Sequence, residues 1–152
     1  MVDAVMTKRG FFGIGVENVK TEANIGTLWR SAMVMGAAFI FTIHRRYSLQ
    51  RGDTTKSWRH IPLLHYETIE SFVAGMPHDS SLIGIEQDEQ AQELSRFVHP
   101  ERAVYVLGAE DRGLSKEMQR LCSRLVAISA PLCLNVAVAG SIVMWHRQCA
   151  ER

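Results

Sequence analysis

Continuous apolar runs alternate along this chain with stripes of helical period. The runs cover residues 11–16, 38–43, 82–86, 103–107 and 125–128, with a weaker one at 61–66. An unbroken apolar run predicts a strand buried on both faces of a parallel sheet. Ile25, Leu28, Trp29, Ala32, Met33 and Gly36 fall on one helical stripe, with Asn24 as its expected N-cap. Ile69, Phe72 and Val73 predict a short helix closed by Gly75, with Pro77 beyond. Ser115 is placed to cap a helix facing the core with Leu114, Met118, Leu121 and Cys122. Residues 135–148 are apolar nearly all round and carry Ala137, Ala139, Gly140 and Ser141. Such a helix is buried on several sides or sits in a subunit contact. Residues 87–93 are polar and read as a solvated loop. Alternating strands and helices predict an α/β fold, a mostly parallel sheet flanked by helices.

Composition narrows the classes. The 152 residues suit one domain, expected over 1–152, and 47% hydrophobic with 22% charged residues excludes disorder. Seventeen Lys and Arg against sixteen Asp and Glu give +1, which excludes a globally basic nucleic-acid coat but not a local patch. Cys122, Cys133 and Cys149 form no C-x-x-C pair, so neither a disulfide framework nor a zinc ribbon is expected. The six histidines are scattered, and no metal site is expected. Residues 1–10 lack an apolar signal core. Residues 132–145 are interrupted by Asn135 and Ser141 and fall short of the roughly 20 residues a membrane span needs. These features predict a cytoplasmic protein without a membrane association.

Three segments carry candidate chemistry, each leaving a strand for a helix, where ligands gather in open α/β sheets. In residues 24–30, Gly26 permits close approach to a helix start, and Arg30 projects a cation away from the Ile25/Trp29 stripe. A plain cap followed by a solvated arginine is the simpler alternative. In residues 107–114, Gly108 and Gly113 bracket Glu110, Asp111 and Arg112: a ligand-gripping loop or a polar turn. Residues 128–135 run through Cys133 into Asn135, an expected N-cap. Cys133 has no adjacent histidine, which argues against a cysteine nucleophile. Gly13-x-Gly15 lacks the third glycine of a dinucleotide fingerprint and lies within a strand.

Together, in this order, the segments resemble the signature of the SpoU–TrmH methyltransferases, members of the SPOUT superfamily. The resemblance spans residues 11–147. Asn24, Gly26 and Arg30 match N-x-G-x-x-x-R. Gly108, Glu110, Gly113 and Leu114 match G-x-E-x-x-G-L, and Leu134, Asn135 and Val136 match the S-L-N-V-like run. The resemblance implies a deep trefoil knot from about residue 82 onward, against the general rule that chains are un-knotted. It implies an S-adenosylmethionine pocket lined by Ile85, Glu86, Leu107, Gly108, Ile128, Cys133 and Leu134, and a homodimer through the last helix. It implies methyl transfer to a ribose 2′-hydroxyl of RNA, with Asn24, Arg30, Glu110 and Asn135 as the catalytic group. Minimal members modify transfer RNA, including the wobble ribose, or ribosomal RNA. Cys133 stands where many members carry serine.

Two rival classes stay open: a non-catalytic RNA-binding relic of this fold, and an unrelated α/β nucleotide binder. The expected RNA-binding residues are Arg45, Arg46, Arg51, Lys56 and Arg59, with Asp53 the only acid among them. Tyr47 and Trp58 are interleaved and suited to stacking on bases. The alternative for this stretch is a solvated loop.

Overall fold

The structure, a computed structural model, describes residues 10–47 and 56–151. Strand β1 (Phe11–Glu17) leads to helix α1 (Glu22–Val34), β2 (Phe39–Ile43), a 3-10 turn at Ser57–Arg59, β3 (Leu63–Tyr66) and α2 (Ile69–Gly75). There follow β4 (Ser81–Ile85), β5 (Gln92–Glu93), β6 (Arg102–Leu107), α3 (Lys116–Leu121), β7 (Arg124–Ala127) and α4 (Val136–Ala150). The five strong apolar runs and the weaker one all become strands. β5 lies in the stretch that reads as a loop. Its two residues pair with Val126 and Ala127 through the backbone, so no apolar pattern announces it.

The strands form one sheet in the order β3-β2-β1-β6-β4-β7-β5, and every pairing is parallel. Side chains alternate across the central β6. Tyr105 and Leu107 pack with Leu28 and Trp29 of α1 and with Val143 and Met144 of α4. Val104 and Val106 pack with Phe72 of α2 and Met118 of α3. Both faces are therefore covered, which is why β6 is apolar without alternation. Gly13 and Gly15 make room for aromatic rings of β2: an added Cβ would meet the Phe39 ring at 2.2 Å and the Phe41 carbonyl at 2.3 Å.

The small residues of α4 face inward. A Cβ on Gly140 would meet Leu28 Cδ1 at 2.4 Å, Ala139 is buried, and Ser141 Oγ donates to Ser31 Oγ at 2.9 Å. They let α4 approach α1 of the same chain. This is the burial on several sides that the sequence pattern allows.

At the amino ends of the strands, α4 is fixed by the buried Arg147. Its Nη1 donates to the Pro100 carbonyl at 2.7 Å and to the Tyr105 hydroxyl at 3.2 Å, and its Nη2 donates to the Glu101 carbonyl at 2.8 Å. Its Nε pairs with Glu151 at 2.9 Å. Beside it, His99 lies 2.5 Å from the Tyr105 hydroxyl and 2.8 Å from His146 Nδ1. Burial, then the neighbouring His146 and Arg147, push the His99 imidazole down to about 4. The unfolded chain, with an ordinary histidine, takes up this proton first as pH falls. The His99 contribution to stability is thus present above about pH 6.5 and is lost as pH drops through about 4. Denaturation midpoints measured between these limits are expected to fall more steeply for the native chain than for His99→Gln. Parallel curves would assign the acid sensitivity to other groups.

Candidate functional site

Parallel pairing places the carboxyl ends of β1, β2, β4, β6 and β7 along one edge. There Val16 is in register with Leu107 and Ile85 with Leu107 and Val126. The three candidate segments meet at this edge through their side chains. Asn135 caps α4: its Oδ1 accepts from the backbone N–H of Ala137 at 2.9 Å and of Val138 at 3.3 Å. Its Nδ2 then donates to Asn24 Oδ1 at 2.7 Å. Asn24 Nδ2 in turn donates to Glu110 Oε1 at 2.5 Å. The cap fixes the polarity of the whole relay, because an amide whose oxygen serves the helix can offer only its nitrogen.

Asn24 is not the N-cap of α1. Thr21 occupies that position without a side-chain bond, and Asn24 lies inside the first turn. Its amide instead spans the gap between the other two segments. Gly26 admits Tyr47: a Cβ there would lie 3.3 Å from the Tyr47 hydroxyl.

The loops enclose a cavity of about 270 Å³. Ile85, Glu86, Leu107 and Gly108 line it together with Ile128, Cys133 and Leu134, so all seven expected lining residues come together. Glu110 lines it too, as do Gln87, Asp111, Arg112 and Gly113, which the motif pattern does not place in a pocket. Cys133 is exposed at this wall rather than packed in the core. Cys122 is the inert thiol, pushed up to about 12 by burial and then by Glu17.

Two carboxylates shape the 108–114 loop from below. Glu86 accepts from the Leu114 N–H at 2.6 Å and from the Gln87 N–H at 3.0 Å. Its carboxylate lies where a Cβ of Gly113 would be, at 2.4 Å, and Gly113 itself has φ +66°. Glycine is therefore required there twice over. Glu17, almost fully buried at the end of β1, accepts from the Ser115 N–H at 2.9 Å and the Ser115 hydroxyl at 2.6 Å. Ser115 Oγ caps α3 by accepting from Met118 N–H at 3.1 Å, as expected. Sequence reasoning missed Glu17. Its signal is a carboxylate directly following an apolar strand run.

The cations are arranged unevenly. Arg30 is exposed on α1, off the buried stripe, with no ion pair among the described residues. Arg45 is exposed, whereas Arg46 is bound to Glu67 at 2.8 and 3.1 Å, which holds the Glu67 carboxyl below its ordinary value. Arg59 lies over the exposed Trp58 ring at 5.1 Å, and Lys56 is exposed nearby. Arg51 lies outside the described residues. Tyr47 is half-buried and packs on Trp29 with centroids 4.3 Å apart. Lys20 pairs with Asp111 at 2.6 Å, tying the β1–α1 loop to the 108–114 loop and lowering the Asp111 carboxyl.

A family model described as the SpoU rRNA Methylase family matches residues 12–145. An uncharacterized tRNA/rRNA methyltransferase of Archaeoglobus fulgidus is 29% identical over 144 residues, 90% of this chain and 63% of that protein. This chain therefore spans less than two thirds of that relative's length. The structure of an AdoMet-bound rRNA methyltransferase from Sinorhizobium meliloti is similar with TM-score 0.83 at 20% identity, over 93% of this chain and 57% of that one. A structure described by the 2-OH methylation of C/U34 on tRNA is similar with TM-score 0.78 at 18% identity, over 94% of this chain and 97% of that one. Both structural likenesses are likenesses of fold.

Proposed function

Because the chain belongs to the SpoU rRNA Methylase family, we propose that it transfers a methyl group from S-adenosylmethionine to a ribose 2′-hydroxyl of RNA, transfer RNA ahead of ribosomal RNA. The observation that carries this reading is the Asn135–Asn24–Glu110 relay at the edge of a cavity lined by all seven expected residues. The relay is intact, which favours an enzyme over a non-catalytic relic. The family match removes the ground for an unrelated nucleotide binder. The preference for transfer RNA is supported by the likeness of fold to the chain described by 2-OH methylation of C/U34.

The residues present suit the cofactor. Ile85, Leu107, Ile128 and Leu134 offer apolar walls that suit an adenine ring, and Glu86 and Glu110 add negative charge to the lining, which suits a cationic ligand group. When bound, the cofactor supplies an electrophilic methyl group on a positively charged sulfur. Glu110, which accepts from Asn24, would favour that positive charge. A guanidinium is a poor general base, so Arg30 is not given that role. Its role in this reading is to hold the RNA phosphate so that the hydroxyl lies in line with the methyl group. Cys133 shapes the pocket wall and forms no covalent bond. The chain from about residue 82 onward is the part we assign to a trefoil knot, supported by β6 entering between β1 and β4 while β7 lies beyond β4. An experimental trace in which this part passes through no loop would remove that assignment. The three free thiols support a cytoplasmic setting, and no helix among the described residues is long and apolar enough to cross a membrane.

S-adenosylhomocysteine is expected to bind the folded chain in calorimetry without RNA. Arg30→Ala should abolish methyl incorporation into RNA while leaving that affinity within about threefold. An active alanine variant, or no heat from the native chain at millimolar ligand, would overturn the assignment.

RNA is proposed to lie along Arg45, Arg46, Arg51, Lys56 and Arg59, with Trp58 as the stacking ring. Replacing Arg45 and Arg46 together should flatten the salt dependence of RNA affinity, by about 0.7–0.9 log unit for each phosphate left without its cation. S-adenosylhomocysteine binding should not change. An unaltered slope would place the RNA elsewhere.

We also propose a homodimer through α4, the small residues of which pack within the chain at Gly140. Val138 and Trp145 are exposed on the helix, with Leu132 and Leu134 exposed before it. Sedimentation equilibrium at micromolar concentration is expected to give twice the chain mass. Trp145→Glu should shift it toward the monomer. A native chain that stays monomeric refutes the dimer.

A further inference from the structure

The charges around the cavity are unbalanced in a way that points to one more ligand contact. Among the described lining residues the acids are Glu86, Glu110 and Asp111, and Arg112 is the one Lys or Arg. Glu86 is taken up by the Leu114 and Gln87 N–H groups. Glu110 accepts from Asn24, and Asp111 is matched by Lys20 at 2.6 Å. Arg112 is held only loosely. Its Nε lies 4.0 Å from Asp111, and its side chain is 78% exposed. It stands immediately before Gly113, whose N–H donates to the Ala109 carbonyl at 2.7 Å, so the guanidinium is anchored at its root and exposed at its tip.

S-adenosylmethionine carries three charges at its amino-acid end: a sulfonium, an ammonium and a carboxylate. Glu86 and Glu110, whose partners are uncharged N–H groups, leave negative charge at the cavity for the two cations. The carboxylate needs a cation, and a planar guanidinium binds one with two parallel N–H bonds. We propose that Arg112 binds the α-carboxylate of the cofactor's amino-acid end. It thereby selects ligands with a complete amino-acid tail over those without one. This inference rests on the methyltransferase reading of the same cavity and adds a residue to it.

Calorimetry with two ligands on the full chain, without RNA, tests it. One ligand is S-adenosylhomocysteine. The other is its decarboxylated amine analogue, which keeps the adenosine, the sulfur and the ammonium. Arg112→Ala should weaken S-adenosylhomocysteine by about tenfold or more, the usual effect of losing a charge-assisted pair. It should change the analogue by less than about twofold, and Arg112→Lys should recover part of the loss. Equal weakening of both ligands would show that the arginine only shapes the loop. No change in either would overturn the proposal, and loss of RNA affinity alongside would assign Arg112 to a phosphate of the RNA instead. If the native chain binds neither ligand, the methyltransferase reading itself fails, and this inference with it.

Discussion

One polarised line of side-chain hydrogen bonds joins three loops that the chain brings from far apart. Asn135 and Asn24 are 111 residues apart, and Asn24 and Glu110 are 86 apart. The helix α4 sets the direction of the line. Its first N–H groups take the Asn135 oxygen, which leaves the nitrogen to face Asn24. Helix N-termini leave such donors without intrahelical partners, so the cap is favourable in its own right, by about 1 kcal/mol. The relay is therefore oriented by an interaction that serves stability, and Glu110 receives a fixed orientation from it.

The strand order makes this meeting possible. β6 is flanked by β1 and β4, so the loops after all three open on the same edge. Glu17 from β1 and Glu86 from β4 reach under the loop that follows β6 and bind successive backbone N–H groups, those of Ser115 and Leu114. A loop with two glycines would sample many shapes by itself. Here two carboxylates, one of them deeply buried, hold it to one shape. The wall of the cavity is thus defined by the sheet rather than by the loop's own conformational preference.

The molecule separates its roles along the strands. At the amino ends, Arg147, His99, Tyr105 and His146 form a closed network that fixes α4 against the sheet. At the carboxyl ends, Arg30, Arg45 and Arg112 stay exposed and without close ion pairing among the described residues. A buried guanidinium with four of its five N–H groups bonded, as in Arg147, is structural, whereas an exposed one on an anchored backbone is available to an anion. The same contrast separates the two sides of α4: Gly140 and Ser141 meet α1, while Val138 and Trp145 are exposed.

The element types, the parallel sheet covered on both faces and the caps at Ser115 and Asn135 were legible in the chain before any fold was in view. They follow from period, composition and short spacings, which report burial and local backbone geometry directly. The seven residues that line the cavity were named only through what the family resemblance of the three motifs implies. Other features became visible only in three dimensions. Asn24 bridges two loops instead of capping α1, Glu17 and Glu86 clamp a distant backbone, and Tyr47 packs on Trp29. The small residues of α4 face their own chain, and Gln92 and Glu93 form an edge strand. In each of these cases a side chain or backbone group had several partners open to it. The choice depended on which groups the sheet order brought within hydrogen-bond or van der Waals reach, a quantity that no local pattern in the chain encodes.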